Sequence, residues 1–234
     1  MFDFRPFALA GLALALTIGA ADADALTIPP CVDEAMIVFD ASGSMSGNEK
    51  LGIATTITRI DEVRSALARV LPSATRFRRV GLITYGPGPY NQCNVELNLN
   101  PTPNAANLIM REVSGLMPAG KTPLTSAVEQ AANVLDFRNK PGVVVVLTDG
   151  EETCAGSPCD LGKQLHAEAD QLTIHVISFR ADNFSWMGEQ SIQEAKCLAE
   201  ENGGLYITAD TQDELVAAFQ STLDCPMIAE RVIR

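Results

Sequence analysis

The chain reads as an α/β protein on a doubly wound, mostly parallel sheet, and three observations lead there. Five apolar runs, Ala35–Phe39, Val80–Tyr85, Val143–Leu147, Thr173–Phe179 and Leu205–Thr208, are continuous rather than alternating, as in strands covered on both faces. Segments of helical periodicity lie between them, long enough for the crossovers that parallel strands require. One connection breaks the rule. The path from Tyr85 to Val95–Leu99, through Gly86-Pro87-Gly88-Pro89, is too short for a crossover helix, so Val95–Leu99 is predicted as an antiparallel edge strand.

The helices carry their own signals. Ile60, Val63, Leu67, Val70 and Leu71 recur at spacings of three and four, in a helix expected to stop before Pro72. Thr122-Pro123 places a hydroxyl at an N-cap and proline at the first helical position. A later helix is expected to end near Asn202, at Gly203-Gly204. The last opens at Thr211, with Glu214 three residues on in capping-box spacing.

At 234 residues the chain suits one well-buried domain. Its 47% hydrophobic and 20% charged residues set it apart from disordered and collagenous chains. Residues 1–25 stand apart from this domain. Arg5 precedes an Ala/Leu/Gly/Ile-rich run from Phe7 to Ala21, and Ala21-Asp22-Ala23-Asp24-Ala25 offers small residues at cleavage spacing, the pattern of a secretory signal peptide. A permanent anchor needs about 20 apolar residues, and this run is shorter. No later segment reads as a span, so no stable membrane insertion is expected after cleavage. Losing Arg5, Asp3, Asp22 and Asp24 moves the net charge from −12 to −10. Such a surface repels nucleic acid and anionic lipid. Arg76, Arg78 and Arg79 form the one basic cluster and read as a solvated loop before a strand.

Three separated segments end strands or open helices with oxygen-bearing side chains. Asp40, Ser42 and Ser44 lie in Asp-Ala-Ser-Gly-Ser, Thr122 in Gly-Lys-Thr-Pro-Leu, and Asp149 in Thr-Asp-Gly. Each alone has an ordinary role as turn residue or cap. Together, carboxylate and hydroxyl oxygens are what a hard divalent cation selects. Glu151 and Glu152 follow directly and read as solvated. Should they face the ion, they would strengthen its binding and weaken capture of an acidic partner. His175, within a strand, reads as structural, and His166, within a helix, as exposed.

In this order the three segments resemble the metal-ion-dependent adhesion site of the von Willebrand factor type A (VWA) domain, and the likeness runs from about Cys31 to Cys225. The Glu-Thr-Cys, Pro-Cys and Lys-Cys-Leu-Ala segments are similar to a bacterial exported subgroup of that family. The resemblance implies a Rossmann-like VWA fold: six strands in order 3-2-1-4-5-6, helices on both faces, and the site at the carboxyl ends of the strands. With the signal peptide (1–25) read from its own residues, the chain is expected to divide into that segment, a VWA domain (31–225) and a short tail (226–234). The resemblance also implies that Ser42 and Ser44 bind the metal through hydroxyls, that Thr122 binds directly or through water, and that Asp40 and Asp149 hold coordinated waters or contact the ion. Mg2+ suits such a set because it retains waters in octahedral geometry, with Ca2+ and Mn2+ as alternatives.

Six cysteines in an exported chain favour disulfides, with 15 connectivities open. In the implied topology Cys31 and Cys225 both reach the sheet end opposite the metal, and a bridge there would pin the termini, as in some family members. Strands 2 and 5 would stand roughly 14 Å apart, which disfavours Cys93–Cys197, because bridged Cα atoms lie within about 7 Å. Either Cys154 and Cys159 pair locally or each takes a distant partner; the second leaves no free thiol and is preferred. With no Cys-x2-Cys pair, a zinc site is a poor alternative.

The expected function is a non-enzymatic, exported binding module, periplasmic or secreted. It would capture an Asp or Glu of a partner protein on the bound cation. The Gly86–Tyr90 loop and Trp186 are expected at the rim, although Trp186 could equally serve in packing. Two alternatives are a metal-assisted hydrolase and an envelope protein with a purely structural cation. Against the hydrolase, Ser44 lacks the nucleophile-elbow register and no histidine falls near the strand tops.

Overall fold

The computed structural model describes residues 33–50, 53–54, 56–180 and 188–225. Six strands form the main sheet: β1 (Glu34–Asp40), β2 (Val80–Tyr85), β3 (Val95–Thr102), β4 (Pro141–Thr148), β5 (Gln171–Phe179) and β6 (Tyr206–Ala209). They lie in the order β3-β2-β1-β4-β5-β6. Every pairing is parallel except β2 with β3. A ribbon of Glu49–Lys50 against Ile53–Ala54 follows the first loop.

Alternate side chains of one strand enter two cores. Ala35, Ile37 and Phe39 pack with Val63, Leu67 and Val70 of α1 (Arg59–Phe77), Ile109 of α2 (Ala106–Ser114) and Phe219 of α6 (Gln212–Leu223). Met36 and Val38 face Val128 of α3 (Leu124–Val134), Leu165 of α4 (Pro158–Glu168) and Leu198 of α5 (Gly188–Glu201). Burial on both faces leaves few polar positions in the central strands, hence the largely unbroken apolar runs.

Two helices behave as their caps dictate. Thr211 and Glu214 form the expected box at α6. After α5, Gly203 takes φ +64°, where its missing side chain avoids the left-handed penalty. Its N–H donates to Glu200 O (3.2 Å) and that of Gly204 to Ala199 O (2.9 Å). The first helix corrects the sequence reading, because α1 runs through Pro72 to Phe77. Pro72 is exposed, and so is Ala68, whose carbonyl loses its donor to water, while the buried stripe continues through Leu71, Ala74 and Thr75. Packing of that stripe outweighs the break. At the start of α1, Thr58 and Asp61 form a second capping box. At the sheet edge β3 continues past Leu99 to Thr102, since Pro101 falls at a register shift between the Leu82–Leu99 and Val80–Thr102 pairs, where its missing N–H interrupts no regular ladder.

The basic cluster is not one solvated loop. Arg76 lies exposed in the last turn of α1, whereas Arg78 is 5% exposed and donates through Nη2 to Asp33 Oδ2 at 3.0 Å. Arg79 binds Glu34 and the Pro101 carbonyl. Arg78 lines a cavity of about 450 Å3 with Asp33, Thr173, His175, Asp224 and Cys225, at the amino ends of the strands. His175 is structural, its Nδ1 accepting the Leu205 N–H at 3.0 Å, and burial with the nearby Arg78 charge lowers its pKa. His166 is exposed. Cys225 is disulfide-bonded; Cys31, its expected partner, lies outside the described residues, as do the segments 1–25 and 226–234. Among the described residues no helix is long and apolar enough to cross a membrane.

Candidate metal centre

At the carboxyl end of β1 the chain leaves the sheet through Asp40 and turns at once. The Ser42 N–H donates to Asp40 Oδ1 at 2.8 Å, an Asx-type turn. The next four residues, Gly43–Ser46, form a 3-10 turn anchored by buried Met45. A second strap comes from the chain before α3: Ser42 bridges Gly120, and the Gly43 N–H donates to Gly120 O at 2.9 Å. Gly86 closes the other side. Its φ is +86°, and a Cβ there would stand 2.5 Å from Ser42 N, so only glycine admits this approach.

The turn aims two hydroxyls at the end of β4. Ser42 Oγ lies 3.0 Å from Ser44 Oγ, and Ser44 Oγ donates to Asp149 Oδ1 at 2.6 Å. Asp40 closes the group from beneath. Its Oδ2 is 3.1 Å from Thr148 Oγ1 and accepts weakly from the Asp149 N–H at 3.4 Å. Asp40, Ser42 and Asp149 are buried, whereas Ser44 is exposed, so the oxygen cluster opens to solvent on one side. Burial, reinforced by the charge of Asp149, pushes the Asp40 carboxyl up to about 6 against the pull of its bonds to Ser42. Burial and then the Asp40 charge hold the neighbouring Tyr85 phenol well above its ordinary range.

Thr122 belongs to this neighbourhood by a different tie from the one expected. The N-cap of α3 is Pro123, and no side chain of that residue caps the helix. Thr122 instead pairs with Thr153: its N–H donates to Thr153 Oγ1 at 2.8 Å and its carbonyl accepts the Thr153 N–H at 3.0 Å. Its hydroxyl is left out of helix capping, two residues beyond the Gly120–Ser42 bridge, and hydrogen-bonds to none of the other four among the described residues. Glu152 does the capping. Its Oε2 accepts the Thr125 N–H at 2.8 Å and its Oε1 the Cys154 N–H at 2.7 Å. Glu151 accepts from Ser191 Oγ at 2.6 Å. Both glutamates are half-buried and engaged, which corrects the expectation of a solvated pair.

Arg59 joins the cluster from outside the three segments. This first residue of α1 donates from Nη1 to Asp149 Oδ2 at 2.8 Å. A cation at a helix start follows no periodic pattern, although the Thr58/Asp61 box that positions it was readable. A groove of about 340 Å3 opens beside Gly150, lined among others by Glu151, Ser191 and Glu194. The Gly86–Tyr90 connection touches the cluster at Gly86; Trp186 lies outside the described residues.

Cys154 and Cys159 each take a distant partner. Cys93–Cys154 ties the loop before β3 to the loop after Asp149, with Cα atoms 6.0 Å apart, and Cys159–Cys197 ties α4 to α5 at 5.0 Å. Two disulfides fit an exported protein.

The donor chemistry fits a small hard cation. Oxygen atoms at adjacent corners of a Mg2+ octahedron stand roughly 3.0 Å apart for bonds of about 2.1 Å, close to the Ser42–Ser44 separation. Among the described residues no three His, Cys, Asp or Glu gather. An ion here must therefore use hydroxyls, with two carboxylates that repel each other in its absence.

A doubly wound α/β domain with a cluster of side-chain oxygens at its strand tops defines a class, and comparison names it. Residues 35–152 match the von Willebrand factor type A domain, and the chain belongs to that family. YwmD of Bacillus subtilis is 29% identical over 198 residues, 79% of this chain and 82% of YwmD. Two solved structures share the fold. An aerotolerance-related membrane protein from Bacteroides fragilis superposes with TM-score 0.56 and 16% identity, covering 82% of this chain and 98% of that one. The vWF domain of the type V pili tip protein Mfa5 from Porphyromonas gingivalis gives TM-score 0.55 and 16% identity, covering 84% and 94%.

Proposed function

We propose that this protein is an exported, non-enzymatic binding module that holds a divalent cation, Mg2+ by its donor set, and uses it to capture an Asp or Glu of a partner protein. One observation carries the reading: Ser42 Oγ, Ser44 Oγ and Asp149 Oδ1 form a continuous run of oxygens spaced 3.0 and 2.6 Å, open to solvent at Ser44. The residues that would hold the ion are Ser42, Ser44 and Thr122 through hydroxyls, with Asp40 and Asp149 in contact or through water. Bound there, the cation supplies a Lewis-acidic position that a partner carboxylate fills. This chain's own residues do the rest. Asp40 fixes the turn that aims Ser42, Gly86 and Gly120 hold that turn in place, and Arg59 and Ser44 orient Asp149.

The rim favours protein over small substrates. Tyr90 and Met117 are 81% and 80% exposed, and a Pro87–Pro118 bridge ties their two loops together. Both are residue types that support protein contacts. The pilus-tip origin of Mfa5 accords with an adhesion-type role.

The test is capture by immobilised protein from envelope extracts, with Mg2+ or with chelator. Partner retention is expected with Mg2+ alone and is expected to vanish in Ser42→Ala. Tyr90→Ala should weaken retention while leaving Mg2+ binding unchanged. Retention that survives both chelation and Ser42→Ala contradicts the reading.

A further inference from the structure

We infer that Arg59 is a permanent counter-cation built into the metal centre, which lowers the affinity of the oxygen cluster for a divalent ion. The inference rests on the metal-binding reading above and deepens it.

Asp149 divides its two oxygens between different partners. Oδ1 takes the Ser44 hydroxyl, on the side where an ion would sit, and Oδ2 takes Arg59 Nη1 at 2.8 Å. The pair is secluded, with side chains 11% and 0% exposed, so water screens it little. Arg59 is also fixed at its backbone. Its N–H donates to Gly47 O at 2.8 Å, just after the loop that carries Ser42 and Ser44. The Thr58/Asp61 box sets the helix start. A Cβ on Gly47 would stand 3.5 Å from Arg59 Nε, so the side chain runs close beneath that loop.

A guanidinium does not lose its proton in a protein, so this charge is constant. Its presence has two consequences of opposite sign. Without metal, it offsets part of the repulsion between Asp40 and Asp149 and stabilises the fold. With metal, the same charge opposes an incoming divalent ion and takes up part of the carboxylate charge that would otherwise neutralise it. A bound cation is left more electrophilic, and a partner's carboxylate becomes the means of completing its neutralisation. A residue needed only for packing would move both states together.

The experiment compares wild type with Arg59→Gln, which keeps a polar N–H donor group but removes the charge, and with Arg59→Lys, which keeps the charge. Calorimetric titration reads Mg2+ affinity, and thermal unfolding is followed in chelator and at saturating Mg2+. Arg59→Gln is expected to bind Mg2+ on the order of tenfold more tightly. It should unfold at lower temperature in chelator and gain more on Mg2+ addition than wild type does. Arg59→Lys is expected within about threefold of wild type. Arg59→Met serves as the neutral variant if the glutamine variant does not fold. Mg2+ affinity unchanged or weakened in the neutral variant, while wild type binds, overturns the role of Arg59 and leaves the metal reading standing. Absence of Mg2+ binding in wild type and all variants overturns both.

Discussion

Asp40 concentrates the electrostatic tension of the site. Its folded pKa of about 6 lies above the unfolded value of about 3.9, so the folded state holds the extra proton between them. Stability contributed by this group is therefore lost as pH rises through that window, unless a cation replaces the proton. In chelator, Asp40→Asn is expected to gain on wild type in unfolding temperature as pH goes from 4 to 7. A difference that stays flat with pH would show that Asp40 is not strained. Asp40, Ser42, Ser44 and Asp149 were legible in the sequence because each lies within four residues of a strand end, where local pattern and tertiary position coincide. Arg59 and Thr148 were not, because their roles come from where α1 and β4 meet Asp149 and Asp40 across the sheet top.

Among the elements, continuous apolar runs marked the central strands correctly, since burial on both faces is written into composition. Boundaries that depend on distant partners were harder to read. Pro72 looked like a stop, yet it sits on the exposed face of a stripe that packing holds in place. Pro72→Ala is expected to stabilise the fold by about 1–3 kcal/mol, measured by urea unfolding, by restoring the N–H to Ala68 O. Thr122 looked like a cap, but a carboxylate from the loop after Asp149 took that task. Glu152→Ala should cost about 1–2 kcal/mol through two lost backbone contacts, whereas Thr122→Ala should leave α3 intact.

For the molecule as a whole, one end of the sheet holds an oxygen cluster assembled from three connections; Cys93–Cys154 braces the one after Asp149, and Cys159–Cys197 joins α4 to α5. The choice between local and distant pairing for Cys154 and Cys159 could be ranked from sequence; the actual partners depend on loop paths that no pattern records. Cys93–Cys154 closes a separation of 61 residues, worth up to about 4 kcal/mol on the chain-entropy account. The Cys93→Ser/Cys154→Ser variant is expected to lose part of that and to bind Mg2+ more weakly, since Thr153, which holds Thr122, lies beside Cys154. The most direct measurement is calorimetric titration of Mg2+ into wild type and into Ser42→Ala, both first shown to be folded in chelator. One saturable site in wild type, abolished or weakened at least about tenfold without the hydroxyl, is the predicted result. Matching titration curves for the two proteins would contradict a cation held between these loops.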